Sequence, residues 1–124
     1  MYRDSFVAKE PLILISIGKT YETSGMSVYD CVRAAWRIDK AKAETYGLVL
    51  AHYRGEVVGA FRPESWLVAM KSSFPRLSRD YPDRFGFTGT PAEQPIQDLY
   101  VCKLVPDDLR RKGAANPVRF VRAS

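Results

Sequence analysis

Apolar runs along this chain are short, and most have the length of a strand. Leu12-Ile13-Leu14-Ile15-Ser16-Ile17 is apolar and rich in β-branched residues, which predicts a buried strand. Tyr21 to Gly25 is polar and reads as a loop. Ser27 stands as an N-cap with Asp30 three residues on, a variant of the capping box. The spacing then predicts a helix from Val28 to about Ile38, with Val28, Cys31, Val32 and Ala35 on its apolar face. Tyr29, Arg33, Trp36, Arg37 and Lys40 follow the opposite side. A second, short helix is predicted over Lys40 to Thr45.

Gly47 to Tyr53 and Glu56 to Phe61 read as two strands joined by Arg54-Gly55, a two-residue turn that predicts an antiparallel hairpin. Pro63 is expected to end the second strand, and Glu64 to Met70 to form a helical turn carrying Trp66. Lys71 to Asp83 has two prolines and mixed charge and is expected to be the longest mobile loop. Arg84 to Gly89 alternates like a strand with glycine relief. Ala92 to Tyr100 is predicted as a helix with Pro95 in its first turn, and Val101 to Val105 as a short strand. Asp107 to Ala115 reads as a basic loop and Pro117 to Val121 as a last strand. The pattern is α+β in a single domain, 1–124. A small, strongly bent antiparallel sheet or a barrel is expected, with one main helix and two short ones.

Composition narrows the class. The chain has 124 residues, 46% hydrophobic and 27% charged, which is enough to bury a core and excludes a wholly disordered polymer. Its longest apolar run, Pro11 to Ile15, is far short of the ~20 residues a helical membrane span needs. No signal-peptide pattern follows Met1, and Cys31 and Cys102 alone build neither a disulfide framework nor a zinc site. The expectation is a cytoplasmic protein with no metal, no cofactor and no membrane partner; a homo-oligomer stays open.

Charge adds a direction. Nineteen basic residues stand against fourteen acidic ones, for a net charge of +5. Most of the basic residues are arginine, which is suited to forked phosphate contacts and to stacking. Arg110, Arg111, Lys112, Arg119 and Arg122 fall between Leu109 and Ser124 with no acid among them. Arg76, Arg79 and Arg84 form a second patch, interrupted by Asp80 and Asp83. A solvated basic face would give the same pattern; the functional reading is a surface for phosphate.

Catalytic motifs are weak. Gly18-Lys19-Thr20 follows a strand, but a phosphate loop needs glycine where Ile13 stands. His52 is the sole histidine and lies in an apolar strand, where a structural role is the default. Asp107-Asp108 balances nearby arginines more readily than it holds a metal. The feature with most physical content is the stripe of Tyr29, Arg33, Trp36 and Arg37, where aromatic faces alternate with phosphate-binding groups. Trp66, Phe85 and Phe87 are core residues by default, although one aromatic could line a pocket mouth. Asn116 is a turn residue before Pro117 whose amide could also read a base edge, with Arg119 close behind.

Several of these segments together resemble a known family. They are Leu12 to Ile15, Gly25 to Tyr29, Arg33-Ala34-Ala35-Trp36-Arg37, Leu48 to Val58, Ser65-Trp66, Arg84 to Gly89, and Lys112 to Val121. Their order is similar to that of a domain following the GIY-YIG domain in bacterial and phage proteins related to LEM-domain endonucleases. The Gly-Ile-Tyr and Tyr-Ile-Gly strand pair of the nuclease half does not occur here, so no nuclease activity is carried over. The resemblance implies a stand-alone domain with a PUA-like barrel and a cleft lined by aromatic and polar groups. Arg33, Trp36, Arg37, Trp66, Asn116 and Arg119 are the motif residues for such a cleft, with Arg84 as a further phosphate contact.

The reading is a non-catalytic binding module for a nucleotide-type ligand, nucleic acid or small nucleotide. One variant is a phage counter-defence protein that sequesters a cyclic-nucleotide or ADP-ribose-type signal. The rivals are a protein-interaction module and a small hydrolase or nuclease using His52 with an acid.

Overall fold

The computed structural model describes residues 4–109 and 117–123. Five strands form one open sheet in the order β4-β3-β2-β1-β5. They are β1 (Leu12–Ser16), β2 (Val49–Tyr53), β3 (Glu56–Ala69), β4 (Tyr81–Pro91) and β5 (Val118–Val121). Four short helices accompany them: α1 (Lys19–Ser24), α2 (Val28–Val32), α3 (Lys40–Ala43) and α4 (Gln94–Tyr100). The fold is α+β, as the pattern predicts. The sheet is mixed, however, because β1 and β2 run parallel while the other pairs are antiparallel. The segment between β1 and β2 carries three helices, which is the length a parallel crossover demands. The sheet does not close into a barrel, since β4 and β5 end the strand order without pairing with each other.

Strands β1 and β2 sort their side chains to two cores. Leu12, Leu14, Leu48 and Leu50 join Val57, Tyr100 and Val121 on one face, under α4. Ile13, Ile15, Val49 and Ala51 join Cys31, Val32, Trp66 and Phe87 on the other, under α2 and α3. An apolar run without alternation is what a strand covered on both faces requires.

The hairpin turn is as read. Arg54 and Gly55 both have positive φ, 51° and 81°, the geometry of a two-residue turn that matches strand twist. Ser27 caps α2 through its Oγ, which accepts from the Asp30 amide at 3.1 Å. Pro95 lies in the first turn of α4.

Other expectations change. The polar segment at Tyr21 to Gly25 is largely helical, ending at Gly25 in the left-handed conformation (φ 70°). The predicted helix from Val28 to Ile38 stops after Val32. From there the chain crosses a cis Ala34–Ala35 peptide and lies along the outer edge of β4. Trp36 and Phe85 exchange backbone hydrogen bonds at 2.8 Å each way, and the Phe87 amide donates to the Arg33 carbonyl at 2.7 Å. A sheet edge that would otherwise be bare draws this strap out of the helix.

Pro63 does not end β3. The ladder continues past it through a register shift between Pro63 and Ser65, so Glu64 to Met70 is mostly strand and Trp66 lies opposite Phe87. Proline is tolerated because the irregularity relieves its missing donor. The loop expected from Lys71 to Asp83 shortens, since β4 begins at Tyr81. Phe74 anchors that loop in the core at 1% exposure, and the Asp80 carboxylate takes the Lys71 amide at 2.7 Å. Val101 to Val105 makes only isolated bridges, through Leu104. Of the basic loop, Asp107–Leu109 is a 3-10 turn, and the rest lies outside the described residues.

Candidate functional site: an arginine-lined cleft beside the strap

A cleft of about 370 Å³ opens between the end of α2, the strap and the β3–β4 loop. Three of the seven predicted binding residues line it: Arg33, Trp36 and Arg84. Each owes its place to a different element. Arg33 is the C-cap of α2, Trp36 is fixed on the β4 edge, and Arg84 stands within β4. Gly86 permits this closeness, because a Cβ there would clash with the Arg33 carbonyl oxygen.

The two arginines are held against rings. The Arg33 guanidinium lies 5.1 Å from the Tyr29 ring centroid and 5.3 Å from that of Phe74. Its side chain is 17% exposed, and Nε faces the Asp30 carboxylate at 3.5 Å. Arg84 lies 4.8 Å from the Tyr81 ring centroid, which Arg79 approaches at 4.4 Å. The Ser78 hydroxyl and then Arg79 draw the Tyr81 phenol below its ordinary value, although partial desolvation opposes them. Trp36 is half-buried and donates its indole N–H to the Val32 carbonyl at 2.6 Å.

The Arg84 Nε is buried with no hydrogen-bond partner. An unsatisfied buried donor costs roughly 1–3 kcal/mol, more when charged. Arg76 also lines the cleft. Three arginines thus face one carboxylate, Asp30, and Asp30 is already beside Arg33. The arrangement suits an anion. Among the described residues no cluster of histidine, cysteine and carboxylate groups could hold a metal ion.

The other predicted residues are elsewhere. Arg37 is 73% exposed in its side chain, pairs with Asp83 at 3.5 Å and does not line the cleft. Trp66 is 4% exposed, with its ring 5.2 Å from that of Phe87. It borders a separate cleft of about 310 Å³ whose lining includes Glu44 and Glu64, an environment that disfavours phosphate. Arg119 lies opposite Leu14 in the β1–β5 register, while Val118 and Phe120 lie opposite Ile15 and Ile13. Cross-strand partners share a face, so Arg119 projects on the α4 side, away from Arg33. Asn116 lies outside the described residues, as do Arg110, Arg111 and Lys112.

Sequence reasoning placed Arg76 only in a basic patch with Arg79 and Arg84 and missed Tyr81 and Phe74 as members of the site. The signal was present as three arginines and two aromatics from Phe74 to Arg84, but the prolines in that stretch mark it as a loop. No helix among the described residues is long and apolar enough to cross a membrane. Comparison with protein-family models, with curated proteins and with solved structures finds no match to this chain.

Proposed function

We propose that the protein is a non-catalytic binding module for a small nucleotide-type ligand. In this reading arginines of the cleft hold phosphate, and Trp36 offers an aromatic face to a base. One observation carries the proposal: Arg33, Arg76 and Arg84 line a cleft that also holds aromatic rings and, among the described residues, a single carboxylate. Its volume of about 370 Å³ is at the small end of the ~300–1,000 Å³ of small-molecule sites, which favours a small nucleotide over a duplex.

The test is a thermal-shift panel of mononucleotides, cyclic dinucleotides, single strands and duplexes, each at low and physiological salt. The expected result is a rise in Tm with a small nucleotide that persists in salt, since a ligand that binds only the folded state stabilises it. The rise should disappear in Arg84→Ala and Arg76→Ala. Shifts confined to long polyanions and lost in salt would point to general nucleic-acid binding instead. No shift with any nucleotide overturns the proposal.

A further inference from the structure

The charge in the cleft is already partly matched, and the remainder carries information about the ligand. Asp30 stands 3.5 Å from the Arg33 Nε, so that carboxylate and that guanidinium offset each other. Arg76 and Arg84 form no ion pair among the described residues. The cleft therefore presents about two uncompensated positive charges. A terminal phosphate carries about −1.5 to −2 at neutral pH, whereas an internal or cyclic phosphodiester carries about −1. Arg84 also lies 4.8 Å from the Tyr81 ring centroid, a contact that holds its guanidinium at the cleft. A terminal phosphate offers three oxygens, enough to meet Arg76 and Arg84 together through forked arginine contacts.

We infer that this cleft selects a terminal phosphomonoester, the end of a nucleotide, over a phosphodiester. The inference rests on the nucleotide reading of the same site and narrows it to one chemical class.

The experiment is isothermal titration of the full chain with adenosine and guanosine 5′-monophosphates, their 3′,5′-cyclic monophosphates and the nucleosides. A short single strand is added with and without a 5′-phosphate. The expected result is that monoesters bind at least about tenfold more tightly than cyclic diesters at pH 7.5. The phosphorylated strand should likewise exceed its 5′-hydroxyl counterpart. That advantage should shrink as pH falls below about 6, where the second phosphate proton returns. Asp30, Cys31 and Tyr81 line the same cleft and face both ligand types, so the ratio of the two affinities reports on the phosphate. Arg84→Ala should abolish the ratio, and Arg119→Ala on the opposite face should preserve it. If Arg84→Ala fails to fold, the pH dependence of the ratio in the unaltered protein still decides. Equal affinity for monoester and diester overturns the inference and leaves the nucleotide reading intact. No binding of any nucleotide overturns both.

Discussion

Arg62 shows how far one side chain can tie separate segments together. Its Nε and Nη2 donate to both carboxylate oxygens of Glu93 at 2.9 and 3.0 Å. Nη1 and Nη2 donate to both oxygens of Glu10 at 3.0 and 3.1 Å, and Nη1 also reaches the Gly47 carbonyl at 2.8 Å. The fork joins β3 to the segment before β1, the approach to β2 and the start of α4. Lysine cannot reproduce it, so Arg62→Lys should lower stability by about 1–2 kcal/mol in urea titration. Hydrogen bonding from Arg62, and then from backbone, holds the Glu93 carboxyl down to about 2 from an ordinary 4.5. The folded state thus binds this proton less readily than the unfolded chain, and the stabilisation is complete above about pH 4.5. It is lost as pH falls toward 2. Glu93→Gln should therefore be less stable than the unaltered protein at pH 6, and the difference in Tm should close between pH 4.5 and 2. None of this was legible in the sequence, where Glu10, Gly47, Arg62 and Glu93 are distant and no local pattern links them.

At the scale of elements, local chemistry decided some boundaries and neighbours decided others. In the Arg54-Gly55 turn Gly55 takes φ 81° without a Cβ penalty, while Arg54 is held at φ 51°, unusual for a residue with a side chain, by the paired strands on either side. Gly55→Ala should cost about 1 kcal/mol or more, since a Cβ is disfavoured at φ 81°. Chemical denaturation checks this directly. The strap obeys a different rule. Helical spacing continues through Trp36, yet hydrogen bonds to Phe85 and Phe87 replace the helical ones after Val32. Gly86 is the enabling residue because a Cβ would meet the Arg33 carbonyl, a backbone atom with little room to yield. Gly86→Ala should displace the strap, destabilise the fold by about 1–3 kcal/mol and weaken nucleotide binding together with it. Thermal melts and titration on the same sample measure both effects.

For the molecule as a whole, the sheet is a partition. It separates a core under α4 from a core under α2 and α3, and the cleft belongs to the second side. Arg119 and Arg33, joined as cleft residues by the family resemblance, fall on opposite sides because side chains alternate along β5. The proposed ligand thus meets a few arginines on one side, whatever the total charge of +5. Raising salt from 50 to 200 mM should weaken its binding far less than the roughly 10³–10⁵-fold loss of proteins that engage many phosphates. A steep loss would mean that the ligand spans more of the basic surface than this cleft.

Sequence alone determined whatever depends on neighbours in the chain. The β1 run, the Arg54-Gly55 hairpin, the Ser27 cap, α3, α4 and the last strand rest on periodicity, turn chemistry and capping, which act over a few residues. It also marked Arg33, Trp36 and Arg84, whose residue types carry their chemistry wherever they lie. Tertiary structure decided the parallel pairing of β1 with β2, the open sheet and the strap on β4. It also decided the burial of Trp66 and the side of the sheet that each arginine faces. Those features depend on which edges need backbone partners and which faces need cover, and segments far apart in the chain supply them.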